Sequence, residues 1–426
     1  MKKLFRSFLP ISLSDLVMTA GDPMIALYLA TLPNATQSLA AFGLAKAVSV
    51  FFESPVIAIL NSGTALSNSG IAIRLLKKFS IVAGIALSLL LILITLLVRT
   101  FWSGSFSLSQ ETVLMACSFS LILGFWPFFI ATRRCQQGIL IGHGHNQKVA
   151  RGAFLRLGII AALLGFSTLF SAQSWLLAPF AIMAGLMGEW IYIQIAVRRV
   201  VLPKGNAAHA PATMAETVRY YLPLGVSMTG LWGSRLLVIM FLSSIDEFAV
   251  AAWTSAWALI VSISNGVRMV QQVVISHYKQ VRFRELSLFT ISTGMLFSFV
   301  LILLSSTVPG IQLLNFYLSS DGELIPVVRN VILVCSPLPF LMAIHAGLQG
   351  FLMTESRTKS VGLLSLISNA GLVTGVALTG FFGLLSPLWI AIFNVLAVAT
   401  EVIFLSAVSA RSFSGNFSMK GVRNDF

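Results

Sequence analysis

Residues 8–55 read FLPISLSDLVMTAGDPMIALYLATLPNATQSLAAFGLAKAVSVFFESP. The stretch reads as two membrane-spanning helices, and it carries Asp15, Asp22, Lys46 and Glu53 inside apolar surroundings. A charge at the centre of a bilayer costs roughly 2.5–3.5 kcal/mol on insertion scales, so such groups face a cavity or one another. This hairpin is therefore the expected start of a substrate pathway.

The rest of the chain has the same character. Hydrophobic residues make up 57% of the sequence and charged residues 10%, and the mean hydropathy is +0.91. Ordinary soluble domains carry about 25% charged residues, so the composition indicates an integral membrane protein. The apolar runs are about 20 residues long, which suits helices and not the alternating ten-residue strands of an outer-membrane barrel. An inner or plasma membrane is expected. The net charge of +14 does not point to nucleic acid, because Lys and Arg gather in alternate short loops: Lys2, Lys3 and Arg6; Arg74, Lys77 and Lys78; Lys148, Arg151 and Arg156; Arg198, Arg199, Lys204 and Arg219; Lys279, Arg282 and Arg284; Arg357 and Lys359; Arg411, Lys420 and Arg423. The positive-inside rule then places both termini in the cytoplasm. Cys117, Cys135 and Cys335 sit in apolar runs without CxxC spacing, so no disulfide or zinc site is expected. The N-terminal apolar stretch reads as a first crossing and not as a removed signal peptide.

About twelve crossings are expected, at 8–32, 39–63, 79–98, 113–141, 153–171, 175–197, 220–243, 249–275, 287–308, 327–353, 360–382 and 386–409. The segment 198–219, containing PKGNAAHAPATM, reads as a cytoplasmic linker between an N-lobe, 1–197, and a C-lobe, 220–426. The lobes look duplicated at an offset of 212–213 residues: Leu9-Pro10 answers Leu222-Pro223, Pro127-Phe128 answers Pro339-Phe340, Gln137-Gly138 answers Gln349-Gly350, and Glu189 answers Glu401. Two even-numbered halves share one orientation, about an axis along the membrane normal. The same offset sets Asp22 against Arg235. If the lobes face each other across a cleft, this acid and base are expected to meet near the midplane.

Several residues are candidates for chemistry. Asp22 lies in Gly21-Asp22-Pro23, where proline removes a backbone donor and loosens the preceding turn. A carboxylate there can hold a cation or relay protons, or simply pair within a proline bend. Arg235 and Arg268 present planar forks suited to carboxylate or phosphate; the alternatives are Arg235 locked to Asp22 and Arg268 reaching to the interface. Lys46 and Glu53 are seven residues apart, on one helical face, and are expected to pair with each other or with the other lobe. Arg133 and Arg134 follow Pro127 and read as lining a cytoplasmic mouth, while His345 holds the position of Arg133 in the second half and is suited either to packing or to proton coupling. Glu189 and Glu401 recur at matching depth and read as holding neighbouring helices. Asp15 is nearer the cytoplasmic face. No GxxxxGK[ST] or GxGxxG motif occurs, so an ATP-driven pump is disfavoured.

Blocks of the chain resemble a known family. Pro10 with Gly21-Asp22, Leu39-Ala-Ala-Phe-Gly-Leu-Ala45 with Phe51-Phe52 and Pro55, Pro223 with Ser234-Arg235 and Val267-Arg268, and the run Pro337-Leu338-Pro339, His345-Ala346 and Gly350-Phe351-Leu352-Met353-Thr354, followed by Glu401, are similar to the progressive ankylosis protein family within the MOP flippase superfamily, which includes the MATE exporters. The resemblance implies an all-α polytopic MATE-like fold of two six-helix bundles around a central cavity. It also implies export of small anions such as citrate, pyrophosphate or nucleotides; the MATE branch instead moves organic cations against protons or sodium. The expectation is a non-enzymatic secondary transporter without cofactor, coupled to H+ or Na+, acting as a monomer in the lipid bilayer on a small anionic substrate. Arg235, Arg268, His345 and Lys46 would hold substrate. Asp22, Glu53 and Asp15 would couple or gate, with Arg133, Arg134, Glu189 and Glu401 secondary. A multidrug cation antiporter, a lipid-linked glycan flippase and a membrane scaffold or receptor are the alternatives.

Overall fold

The computed structural model describes residues 2–67, 69–101, 108–169, 174–200, 211–277, 281–318, 322–354 and 358–421. Lys204, Lys279, Arg357 and Arg423, and the linker residues 201–210, lie outside them. In chain order the helices are α1 (Lys2–Thr19), α2 (Gly21–Ala30), α3 (Ala35–Ile57), α4 (Ile59–Ala65), α5 (Gly70–Phe101), α6 (Gln110–Ile122), α7 (Trp126–Gly142), α8 (Asn146–Leu169) and α9 (Leu177–Arg198). They continue with α10 (Met214–Ser243), α11 (Glu247–Arg268), α12 (Val270–His277), α13 (Phe283–Ser306), α14 (Val308–Tyr317), α15 (Leu324–Val334), α16 (Leu338–Thr354), α17 (Thr358–Phe381) and α18 (Pro387–Gly421).

Among the described residues, ten helical stretches are long and apolar enough to cross a membrane, four of them made by joining α3 to α4, α6 to α7, α11 to α12 and α15 to α16. The protein is an all-α, multi-pass membrane protein. The two remaining expected crossings correspond to α1 with α2 and to α10. α5, at 32 residues, is about 48 Å long against a hydrocarbon core of about 30 Å. Arg74, Lys77 and Lys78, expected in a loop, ride on its first turns. α14 is an additional short helix outside the expected crossings.

Four of the joints between helix halves, those near Pro23, Pro55, Pro127 and Pro339, follow from a proline and from what takes up the carbonyl it deprives. Pro23 cannot donate to Thr19 four residues back, and the Ser262 hydroxyl donates to that carbonyl at 2.9 Å. Pro55 leaves the Phe51 carbonyl, which accepts from the Ser54 hydroxyl at 2.6 Å. The Pro55 carbonyl itself accepts from the Tyr221 hydroxyl at 2.6 Å. At Pro127 and at Pro339 the chain makes the same move: the amide of Trp126 reaches back to Leu123 (2.8 Å) and that of Leu338 to Cys335 (2.9 Å). The orphaned amides of the new helices then find serines on a neighbouring helix, Phe128 to Ser88 Oγ (3.1 Å) and Phe340 to Ser298 Oγ (3.0 Å).

The duplication seen in the sequence is thus a duplication of contacts. Gly84 on α5 lets the backbone of α7 approach until an added Cβ would stand 2.8 Å from Phe128 Cα, and Gly294 on α13 does the same against Phe340 Cα at 2.9 Å.

The chain packs as two compact units. One, here the Asp22 unit, comprises Ala20–Ser255 and Tyr317–Leu324; the other, the His345 unit, comprises Met1–Thr19, Ala256–Phe316 and Ile325–Phe426. The core of the first gathers Val56, Ile59, Ile73, Leu76, Ala131, Cys135 and Ile139 around Tyr221 of α10. That of the second gathers Val267, Val270, Val273, Phe289 and Ala343 around Leu4 and Phe8 of α1. The aromatic contacts match: Tyr221 lies 5.1 Å from Phe79, and Phe8, its counterpart by the repeat, lies 5.5 Å from Phe289. The opening helix of each repeat therefore packs on the body of the other repeat. The chain passes from one unit to the other between Thr19 and Ala20, immediately before Gly21-Asp22-Pro23.

Candidate functional site

In the Asp22 unit, five helices bring ionisable side chains into one connected network. Asp22 stands in the first turn of α2. Its Oδ1 is 3.0 Å from the Lys46 ammonium on α3, and the two side chains are 35% and 20% exposed, respectively. One helical face of α3 carries both Lys46 and Glu53, two turns apart, and both reach the indole of Trp126 at the start of α7. The ammonium lies 4.8 Å from the ring centroid, and the buried Glu53 carboxylate accepts the indole N–H. The Arg156 guanidinium of α8 also lies over that ring, at 5.4 Å.

From Arg156 the network continues to Glu189 on α9, 3.9 Å away. The two oxygens of Glu189 accept from Arg133 and, at 2.9 Å, from Gln137, which sit four residues apart on α7 and so share a face. Arg133 is 1% and Glu189 0% exposed. Beside them Trp190 donates to Thr132 Oγ1 at 2.9 Å. Three carboxylates (Asp22, Glu53, Glu189) and three cations (Lys46, Arg133, Arg156) are thus balanced inside apolar helices, the condition under which buried charge is tolerated.

The His345 unit carries the repeat of the inner end. Nε2 of His345 on α16 is 2.7 Å from Glu401 Oε1 on α18, and Gln349 Nε2 is 3.1 Å from the same imidazole nitrogen.

Several expectations are corrected by this geometry. Lys46 and Glu53 do share a face, but they meet at Trp126, and the salt bridge of Lys46 is to Asp22. Arg133, expected at a cytoplasmic mouth, is sealed into a buried pair because α9 brings Glu189 against α7; Arg134 is half-buried. Asp22 and Arg235, expected to approach from opposite lobes, belong to one unit, since α10 packs along α3 through Tyr221. Arg235 is half-buried with its guanidinium 5.7 Å from the Trp232 ring. Arg268 is exposed at the end of α11, and Asp15 is half-buried on α1.

Sequence reasoning misses Arg156 as a site residue, because it groups this arginine with the loop cations Lys148 and Arg151. Arg156 is ten residues into α8, about 15 Å along the axis, a depth that an earlier helix start would have revealed.

No protein-family model matches the sequence, and none of the curated proteins compared matches it. Solved structures do match over nearly the whole chain. A MOP superfamily transporter from Pyrococcus furiosus is 15% identical, with 95% of each chain covered and a TM-score of 0.63. The eukaryotic MATE transporter AtDTX14 is 15% identical, covering 96% of this chain and 95% of its own, with a TM-score of 0.65. The lipid II flippase MurJ in an inward closed conformation is 14% identical, covering 94% and 87%, with a TM-score of 0.68. At these identities the likeness is one of fold, and the chain has the fold of the MATE and MOP superfamily transporters.

Proposed function

We propose that the protein is a secondary transporter of small organic or phosphate-containing anions, of the citrate, pyrophosphate or nucleotide class, working by alternating access in an inner or plasma membrane with both termini cytoplasmic. The fold supports transport, and the resemblance in sequence to the progressive ankylosis family supports the anion class. One of the structures of like fold, the Pyrococcus furiosus transporter, is itself described as having a binding pocket of reverse polarity that suggests a different function.

The observation that carries the reading is the accessible Asp22–Lys46 pair beside Trp126 and Arg156. Lys46 can hold either the Asp22 carboxylate or an anionic substrate. A proton on Asp22 removes the competitor, so proton and anion favour each other's binding, and linkage makes that preference reciprocal. Arg156 stays protonated throughout and supplies a fixed positive field.

The test is uptake of radiolabelled citrate and pyrophosphate into proteoliposomes under an imposed pH gradient. Lys46→Ala is expected to lower uptake by about tenfold or more, the worth of one charge-assisted hydrogen bond, and Asp22→Asn to keep uptake while losing much of its pH dependence. Wild-type rates from both Lys46→Ala and Arg156→Gln would sink the anion reading.

A second reading, antiport of organic cations, is favoured by the greater exposure of Asp22 relative to Lys46. It predicts protection of cells against cationic dyes, lost with Asp22→Asn.

A further inference from the structure

The internal repeat allows one site to be read against its own duplicate. At one position of the Asp22 unit, α7 presents Arg133 and Gln137 to Glu189 of α9, with Arg156 of α8 as a second cation. At the matching position of the His345 unit, α16 presents His345 and Gln349 to Glu401 of α18. The residue that answers Arg156 is Ser368 of α17, whose hydroxyl donates to the Ala397 carbonyl. The scaffold is kept while both permanent cations are gone. An arginine cannot give up its proton in a protein, whereas imidazole changes charge between about pH 5 and 8.

The hydrogen bonding has changed with it. Both oxygens of Glu189 are engaged: one takes the guanidinium and the other the glutamine amide. Glu401 instead pairs with His345, and Gln349 has turned from the carboxylate to the imidazole. One nitrogen, His345 Nε2, therefore faces a carboxylate oxygen at 2.7 Å and an amide nitrogen at 3.1 Å. When Nε2 carries a proton it donates to Glu401 and the amide must offer its oxygen. When Nε2 is bare it accepts from Gln349, and Glu401 must hold the proton itself. Either arrangement keeps one proton between the two groups. Removal of that proton leaves a carboxylate beside a bare ring nitrogen, which only added water can compensate. The pair is also open where its duplicate is closed, with side-chain exposures of 22% for His345 and 7% for Glu401 against 1% and 0% for Arg133 and Glu189.

The other ionisable groups on the described parts of the elements packed against α16 lie toward the ends of those elements. α13 carries Arg284 and Glu285 in its first turn, α12 carries His277 at its last residue, α17 carries Lys359 at its second residue, and α18 beyond Glu401 carries Arg411 and Lys420 in its last third. His277 Nδ1 is engaged with its own helix at the Val273 carbonyl.

We propose that His345 and Glu401 form a proton-binding site of the His345 unit, separate from the Asp22 network, and that it loads a proton from water on one side of the membrane and returns it to water on the other. The proton rests on Nε2, shared with Glu401 Oε1, and leaves as hydronium when the site is hydrated. The binding itself stands on the geometry; its place in a transport cycle rests on the transporter reading above.

The protein contains five histidines, so selective 15N-histidine labelling of the whole protein in detergent gives a countable set of imidazole signals, with that of His345 assigned by its loss in His345→Gln. The His345 signal is expected to change as a proton is bound and released at Nε2, and Glu401→Gln is expected to alter that response, since the carboxylate faces the same nitrogen. A signal that does not respond to pH, or a response indifferent to Glu401→Gln, overturns the proposal.

His345→Arg rebuilds the permanent pair of the other repeat and supplies a folded control. In proteoliposomes it is expected to flatten the pH dependence of citrate or pyrophosphate uptake. An unaltered pH profile in that variant removes the site from the cycle. Wild-type liposomes that take up neither anion would refute the anion reading while the histidine titration still decides the proton site.

Discussion

Replacing Arg133 by methionine removes the cation that is sealed against Glu189, with both side chains at or below 1% exposure. Breaking a buried pair by removing one partner costs about 3–5 kcal/mol, because the other charge stays behind. Here Arg156, 3.9 Å from the same carboxylate, retains part of the compensation, which places the expected loss near the lower end, about 3 kcal/mol. At roughly 2–4 °C per kcal/mol for a cooperative unit of this size, the melting temperature falls by about 6–12 °C. Glu189→Gln leaves two guanidinium groups without their counter-charge and is expected to cost more. The double variant should recover part of the loss, a coupling of about 1–3 kcal/mol between residues in direct contact. A thiol-reactive fluorogenic dye reads the melt, since Cys117, Cys135 and Cys335 are free and buried in the folded chain. An Arg133→Met variant that melts with the wild type, or a double variant less stable than both singles, would refute the assignment of this pair as a buried lock.

Gly138→Ala should destabilise more than Gly350→Ala, because the added Cβ meets the Leu60 carbonyl at 2.4 Å in one repeat and the Gln271 carbonyl at 3.0 Å in the other; parallel melts of the two variants decide it. Tyr221→Phe removes the hydroxyl that donates to the Pro55 carbonyl and is expected to cost about 1–2 kcal/mol by leaving a buried acceptor unsatisfied, seen as a lower melting temperature in the same dye assay. At the start of α10, Thr213 caps the Glu216 amide and the Glu216 carboxylate accepts from the Ala212 amide, a capping box. These backbone hydrogen bonds hold the Glu216 carboxyl below its usual range. Its contribution to stability is therefore present above the unfolded-state pKa and is lost as pH falls through the folded one. Glu216→Gln should lower the melting temperature slightly near neutrality and flatten the acid limb of its pH dependence, as melts taken across the acid range will show.

The crossings were legible because lipid imposes one rule on all of them, that backbone groups be satisfied within the segment, and uninterrupted apolar runs record that rule directly. The prolines were legible too, and so was the repeat, because Pro127 and Pro339 or Glu189 and Glu401 keep one spacing in the chain. The partners were not. The face shared by Lys46 and Glu53 follows from helical period, but the indole that joins them comes from Trp126, far along the chain, and nothing local announces it. Arg156 was obscured by its neighbours Lys148 and Arg151, since composition weighs a cluster and not the depth of its last member. The pairing of Asp22 with Lys46 depends on where α2 turns after Ala20, a matter of one helical joint.

The exchange of opening helices gives that joint its meaning. α1 packs in the His345 unit through Leu4 and Phe8, and α2 belongs to the Asp22 unit, so the chain changes units beside the turn that holds Gly21, Asp22 and Pro23. The proline has already removed the hydrogen bond that would stiffen this turn. The carbonyl it deprived is held by Ser262 on the α1 side, while the next carboxylate is held by Lys46 on the α2 side. In the second repeat the positions that answer Gly21 and Asp22, Ser234 and Arg235, lie in an unbroken α10 inside one unit, and the arginine carries a charge that does not titrate. The duplicated framework is common to both halves, and at two matching positions one half holds a group that can exchange a proton where the other holds a permanent cation: Asp22 against Arg235 at the opening helix, and His345 against Arg133 at the inner pair. Divergence at such positions is what a symmetric scaffold requires if its two halves are to respond differently to the same change in proton concentration.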